Sequence, residues 1–599
     1  MAYFPTTQQQ PVATTQATSV APLLKPLQTD LLSGNGMILL VCLAALAGLA
    51  FLGPGNRKAE LASGRWVKGN DKRFARKRAH NQINQRKKNA VSLYLNWPAV
   101  KATATESGRR YHFTKEAQTT YVPDAQRGIA VAGAPGTGKT FSVIDPLIRS
   151  TIHQGFPLIL YDFKYPTQSS RIASLAARMG YQVHIFAPGF PESEVCNPLD
   201  FMKDEEDALM ARQMATVLNR NFKLQSQSSE DPFFTNAGDQ LVEATLMLAK
   251  SMCFPDVMIA FSILGSEELI KRLQGNKLNP WIDVAFRQLY STAGSEKTTA
   301  SIVATAALTF TRFMKAGVLG AFCGETTLPL DLSGKQLIIF GMDRERRDVV
   351  GPLLATVLHM LVTRNVIKPR QDPLIVALDE LPTLYLPNLV QWLNENREDG
   401  LVSILGFQNL LQLEKAYGKE LAGAIFGGCA TKFLFNPQNY DSAESFSRYL
   451  GEEELFYRSK SKNTGGGKSS ITQADQNRTR RLFAADQFLK LAQGNCVLLN
   501  PAYGSKSESA VPEKCRLKVA KTELGLQAQS LEYWEPLCQS LAEQSTVRPP
   551  NQDDVLARIQ EFDLNFPIPK DSEESPTSSS LRTQSVLNLC NQAVDDQLL

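Results

Sequence analysis

From about Gln126 onward the chain alternates short apolar runs with helical stretches. GIAVAG (128–133), PLILYDF (157–163) and YQVHIF (181–186) carry little polarity along their length, which predicts strands buried on both faces. KQLIIFG (335–341), PLIVALDE (373–380), LVSILGF (401–407), ATKFLF (430–435) and NCVLLN (495–500) repeat the pattern. Between most of them lie stretches with helical spacing, so the pattern predicts a parallel sheet with helices on both faces. The alternation stops between about Pro198 and Lys315. Segments such as 236–252 and 295–316 have helical spacing there, with no strand run, which predicts an all-α insertion within one α/β domain.

A different pattern occupies the N-terminus. No charge lies between Asp30 and Arg57, and residues 37–52 read MILLVCLAALAGLAFL. With Leu31 and Leu32 as an entry, the run suffices for one helix across a ~30 Å hydrocarbon core. The residues before it carry only Lys25 and Asp30, whereas 57–88 hold twelve Lys/Arg against two acidic residues. The positive-inside rule then places the N-terminus outside and the bulk of the chain in the cytoplasm. A cleaved signal peptide would carry its basic region just ahead of the apolar run, where a long polar segment stands instead.

Composition adds little to this. The net charge of +5 is mild, and nine cysteines without a C-x-x-C pair argue against a disulfide framework or a zinc site. Charge is uneven, however. From Asn551 to the end, nine acidic residues face three basic ones, which predicts a mobile acidic tail with room for a short terminal helix.

Gly133-Ala134-Pro135-Gly136-Thr137-Gly138-Lys139-Thr140 fits the phosphate-loop pattern G-x-x-x-x-G-K-[ST], with a strand before it and a helix after. Glycines allow a tight turn whose N–H groups point inward at phosphate oxygens. Lys139 supplies a charge for the β/γ-phosphates, and the Thr140 hydroxyl a ligand for Mg²⁺. Asp379 and Glu380 close the PLIVALDE strand at the carboxyl edge of the sheet, where such folds bind ligands. There Asp379 can hold Mg²⁺ through water and Glu380 can polarise the attacking water. Gln408 follows LVSILGF and reads either as a γ-phosphate sensor or as the cap of the next helix. Arg397 precedes the same strand and reads either as a solvated charge or as an arginine finger for a neighbouring subunit. Asp162-Phe163-Lys164 ends the second strand, where ion pairing is as good a reading as function. Gly465–Ser469 imitates a second phosphate loop, but Lys462 stands where its first glycine should be, so it reads as a surface loop.

Together these motifs resemble the type IV secretion coupling proteins, the membrane ATPases of conjugation. The likeness rests on GAPGTGKT, the DFK strand end, CNPLD (196–200), LDELPTL (378–384), the R-x-x-G of Arg397–Gly400 and GFQNLLQLEKAYG (406–418). It implies a RecA-like P-loop NTPase of α/β class with a mainly parallel sheet, an inserted all-α domain and an N-terminal transmembrane helix. ATP and Mg²⁺ are the implied cofactors. Single-stranded DNA attached to its relaxase and the secretion channel proteins are the implied partners, in a hexameric ring at the inner membrane. The expected organisation is an outer tail (1–30), a membrane helix (31–56) and a basic juxtamembrane linker (57–123). A nucleotide-binding domain (124–200 and 317–545) follows, interrupted by the α insertion (201–316), and an acidic disordered tail (546–599) ends the chain. The family commonly has two membrane helices and a DPKG-like sequence, against one helix and DFKY here. Two other readings stay open: a septal DNA pump, and a receptor that binds nucleotide without hydrolysing it.

Overall fold

Nine strands form the central sheet of the computed structural model, which describes residues 64–105, 108–226, 232–465, 468–505 and 508–569. Numbered along the chain, β1 (Leu93–Leu95) pairs with β4 (Thr120–Val122), and β2 (Ala99–Thr105) with β3 (Gly108–Thr114). The central strands are β5 (Ile129–Ala132), β6 (Leu158–Asp162), β7 (Gln182–Phe186), β8 (Gln336–Gly341), β9 (Leu374–Leu378), β10 (Leu401–Phe407), β11 (Thr431–Leu434), β14 (Asn495–Leu499) and β15 (Glu513–Arg516). Their order is β15-β14-β11-β5-β10-β9-β6-β8-β7. The seven strands from β11 to β7 are parallel, and β14 and β15 add an antiparallel margin. All eight expected strand runs lie in this sheet. β15 was not foreseen, because in EKCR only Cys515 is buried.

Both faces of the sheet are covered, as unbroken apolar strands require. Ala130, Ala132, Ile159 and Tyr161 face one core, and Ile129, Val131, Leu158 and Leu160 face the other. On the first face lie the helices between β7 and β8, including Pro232–Lys250 and Glu296–Thr311, together with Arg347–Val366. Among the described residues no strand interrupts β7 to β8. The helix Arg347–Val366 is long and apolar enough to cross a membrane, but it is almost wholly buried in this core. The expected membrane helix (31–56) lies outside the described residues.

Two expectations need correction. Residues 69–122 are not a plain linker: the helix Gly69–Gln85 and strands β1 to β4 are folded there. That helix buries Asp71, Ala75, Ala79, Gln82 and Ile83, a face too small and polar to register as hydrophobic periodicity. Nor is the start of the acidic tail disordered, since Gln552–Asn565 is a helix capped by Asn551. Its Arg558 pairs with Asp256 (2.6 Å), Glu561 accepts from the Phe254 N–H (3.3 Å), and Phe562 is buried. These partners lie some three hundred positions away in sequence, beyond reach of local composition. Separately, β12 (Glu452–Gly465) and β13 (Lys468–Arg481) form a two-stranded ribbon whose part Glu454–Thr479 belongs to a second unit. Of the glycine-lysine segment read as a surface loop, Gly465 ends β12 and Lys468 begins β13, while 466–467 lie outside the described residues.

One buried ion pair ties the sheet's second face to the C-terminal helices. Arg149, on the helix Asp145–Gln154, donates from Nε (3.2 Å) and Nη2 (2.9 Å) to Glu523 on the helix Lys521–Glu532, and both side chains are fully buried. The other Glu523 oxygen accepts from the Trp97 N–H (3.1 Å). Removing one member leaves a buried charge without its partner, so Glu523→Ala should cost about 3–5 kcal/mol in urea unfolding. The double change Arg149→Met/Glu523→Leu should recover most of that. A loss below about 1 kcal/mol for the single change would mean that water reaches Arg149.

Candidate active site

The loop from Gly133 to Thr140 leaves the carboxyl end of β5 and enters a π turn (Thr140–Ile144), then the helix Asp145–Gln154. Its base is fixed by the neighbouring strands: the Gly133 N–H donates to the Phe407 carbonyl (3.1 Å) and the Ala134 N–H to that of Asn436 (2.9 Å). Thr137 closes the loop on itself through Oγ1 to the Ala134 carbonyl (2.7 Å). Gly136 and Gly138 have φ of +80° and +97°, a region costly for any side chain. Among the described residues the N–H groups of Gly136, Gly138 and Lys139 donate to no protein acceptor. Backbone donors gathered in this way at a helix start form an anion cradle.

β10 lies between β5 and β9, so the ends of three parallel strands meet over this loop. β9 delivers Asp379 and Glu380, and β10 delivers Gln408. Lys139 is 5% exposed, and its Nζ lies 2.7 Å from Glu380 Oε1 and 3.3 Å from Asp379 Oδ1. Burial by itself would lower the pKa of this ammonium, but the two carboxylates outweigh it and the net direction is upward. Thr140 Oγ1 donates to Asp379 Oδ2 (2.5 Å). A hydroxyl and a carboxylate oxygen side by side are hard donors of the kind Mg²⁺ takes. The Gln408 amide donates to Glu380 Oε2 (3.2 Å) and accepts from Gln412 (3.1 Å). Glu380 itself sits at φ +61°, a left-handed conformation uncommon for a non-glycine residue and enriched at functional sites.

Lys139, Thr140, Asp379, Glu380 and Gln408 thus form one connected set. Helix capping falls to Asn409, whose side chain accepts from the Gln412 N–H (3.0 Å), so Gln408 is free to face Glu380. Arg397 is not in the set. It lies ahead of the first residue of β10, at the opposite edge of the sheet, roughly 20 Å from the loop at ~3.3 Å per residue. Asp162 is also occupied elsewhere, since its carboxylate accepts from Lys164 N, Gln168 N, Ser169 N and Ser169 Oγ at 2.8–3.1 Å. Two neighbours escaped the sequence reading. Thr383 ties the Glu380 carbonyl (2.7 Å) to the Tyr161 hydroxyl (3.0 Å), and the Gly494 N–H donates to the Thr137 carbonyl (2.9 Å). Only the three-dimensional fold brings these near the loop.

A family model described as the type IV secretion-system coupling protein DNA-binding domain matches residues 120–504. Over 77 residues the chain is 39% identical to coupling protein TraD of Escherichia coli (strain K12), a stretch that is 13% of this chain and 11% of TraD. The chain therefore spans only 11% of the length of that curated relative. Among solved structures, plasmid coupling protein TrwB in complex with the ATP analogue ADPNP aligns with a TM-score of 0.53 at 16% identity, over 78% of this chain and 96% of that one. TrwB in complex with ADP and Mg²⁺ aligns at 0.51 and 16%, over 66% and 86%. At such identity the likeness is one of fold, an α/β architecture around a mainly parallel sheet.

Gly406, in β10, is where the strands come closest to the acidic pair. A Cβ there would stand 2.5 Å from Asp379 Oδ1 and 2.9 Å from Ile144 Cδ1. Gly406→Ala is expected to destabilise the protein by about 1–3 kcal/mol through overpacking. Gly423→Ala, in a helix with open space around the new methyl, should instead stabilise by about 0.5–1 kcal/mol. Thermal unfolding of both variants checks the contrast, and equal effects would refute the close approach.

Proposed function

Because the chain belongs to the type IV secretion-system coupling proteins, we propose that it is an inner-membrane ATPase that couples a relaxase–DNA substrate to a type IV secretion channel and drives export of single-stranded DNA in conjugation. The observation that carries the catalytic part is the connected set Lys139–Asp379–Glu380–Gln408 over an anion cradle. In the proposed organisation, 124–200 and 317–545 form the motor domain, 201–316 the α insertion, and 31–56 a single membrane span.

Mg²⁺-bound ATP would supply the phosphoanhydride to be cleaved and a cation to neutralise its charge. Residues 133–140 would hold the phosphates through their free N–H groups. Thr140 and Asp379 would hold the cation. Lys139, which now neutralises two carboxylates, would turn its charge to the phosphates, leaving Glu380 able to orient water and accept its proton. Gln408, already bonded to Glu380, would register the loss of the terminal phosphate and pass it to Gln412 and the helix Leu410–Tyr417. Arg397, remote from its own chain's loop, would act on the nucleotide of the next subunit in a hexamer.

ATP hydrolysis by the full chain, with and without single-stranded DNA, tests this reading. Lys139→Ala should abolish hydrolysis. Glu380→Gln should keep nucleotide binding and lower turnover by about 10²–10⁴-fold. Strong stimulation by DNA in the wild type is the expected result. Hydrolysis indifferent to DNA would point instead to a protein-handling ATPase, and nucleotide binding without any hydrolysis to a receptor.

A further inference from the structure

Two cavities lie side by side along the helix Gly69–Gln85 and share Arg76. One, of about 420 Å³, is lined by Arg73, Arg76, Lys77, Tyr111, His112 and Phe113, among others. The other, of about 330 Å³, is lined by Lys72, Arg76, Asn96, Gln118, Arg516 and Lys518, among others. Their basic side chains, Lys72, Arg73, Arg76, Lys77, Arg516 and Lys518, lie outside residues 120–504, the span matched by the DNA-binding-domain family, although Thr120, Tyr121 and Tyr503 of that span help to line the second cavity. Both belong to the larger of the chain's two units.

The walls are built and the cations are left over. Asn84 holds the helix to β3, its Oδ1 accepting from the Tyr111 N–H (2.7 Å) and its amide donating to the Tyr111 carbonyl (3.2 Å). Asn96 bridges the carbonyls of Gln118 (3.0 Å) and Lys518 (2.9 Å) and accepts from the Ala520 N–H (2.8 Å). Phe113 stacks on His80 with centroids 4.5 Å apart. Lys72 pairs with Glu513, and Arg76 with Glu116 (3.5 Å). Arg73, Lys77, Arg516 and Lys518 have no ion-pair partner among the described residues, and all four are exposed. Such a groove has a surplus of positive charge, aromatic rings half open to it and fixed amides. Phosphates pair with the first and bases stack on the second, without regard to sequence.

We propose that this groove binds the backbone of a single DNA strand, as a contact separate from the nucleotide-driven part of the motor. The proposal rests on the reading that the transported polymer is single-stranded DNA. A membrane surface is the other anion such a helix could meet, but the concave walls favour the strand. The one large apolar side chain exposed on the helix, Phe74, lines neither cavity, whereas membrane docking would use it together with the cations.

The test uses the full chain in neutral-lipid nanodiscs and a fluorescent oligothymidine of about 30 nucleotides, long enough to exceed one site. Arg73→Glu/Lys77→Glu and Arg516→Glu/Lys518→Glu should each weaken binding at least tenfold. Each should also flatten the slope of log affinity against log salt by about 1.4, two phosphates' worth for a single strand. Hydrolysis measured without DNA should not change in either variant. A photo-crosslinker at Asn81, which lines the larger cavity, should capture the oligonucleotide. Wild-type affinity in both variants would overturn the proposal, as would capture at 81 of labelled phosphatidylglycerol in place of DNA when that lipid is added to a parallel set of nanodiscs. Groove-dependent binding without DNA-stimulated hydrolysis would sink the motor reading and leave the groove standing. DNA-stimulated hydrolysis with unaltered binding in both variants would do the reverse.

Discussion

Everything at the carboxyl edge of the sheet around residues 133–140 depends on how the charge of Lys139 is neutralised. A lysine only 5% exposed cannot stay charged without close partners, and here two carboxylates from the end of a neighbouring strand supply them. The same contacts keep Asp379 beside the Thr140 hydroxyl and Glu380 within reach of Gln408. Each member of the set is thus placed by the others. An anion entering the cradle competes for the ammonium, and any exchange of partners at Lys139 must be felt at Glu380 and Gln408. Lys139, Glu380, Gln408 and Gln412 of the helix Leu410–Tyr417 are thus joined in one run of hydrogen bonds.

Sheet order is what makes that set possible. In parallel register Phe407 stands beside Ala132, and Leu405 beside Leu378, so Gln408 emerges between the phosphate loop and the acidic pair. The approach is so close that position 406 has no room for a methyl group. β10 is therefore buried along its length and ends in Gly-Phe-Gln, with the glycine where the Asp379 carboxylate passes. The same requirement accounts for the uniform burial of β5, β9 and β10, whose side chains alternate between two packed cores.

How much of this the sequence disclosed follows from where each signal resides. The phosphate loop, the acidic pair and Gln408 are local: a motif, or a polar residue at the end of an apolar run. Their strands were legible for the same reason. β15 was not, since an edge strand with one buried cysteine has no run to detect. The helix Gln552–Asn565 was hidden by the acidity around it, although Arg558 and Glu561 are held by Asp256 and the 253–254 backbone. In the helix Gly69–Gln85 the buried face is alanine and hydrogen-bonded polar residues, among them Gln82, which donates to Asp124 (2.6 Å). The basic stretch was legible as charge, and only the fold shows it walled by β3 and β15 into a groove.

Arg397 carries the remaining step. Its motif left it either a solvated charge or an arginine finger for a neighbouring subunit, and the strand that follows it runs the whole depth of the sheet before reaching Gln408. An arginine side chain extends only a few ångströms beyond its backbone, far less than the roughly 20 Å involved. Within one chain it cannot reach the phosphates by any rearrangement that leaves β10 in the sheet, and β10 is held by parallel partners on both sides. If Arg397 acts on a nucleotide at all, that nucleotide belongs to a neighbouring copy, with the two sheets offset so that one amino edge meets the other's carboxyl edge. Such a contact is head-to-tail, and head-to-tail contacts close into rings when their rotation allows. A catalytic role for Arg397 and a ring-shaped assembly are therefore one hypothesis seen from two sides.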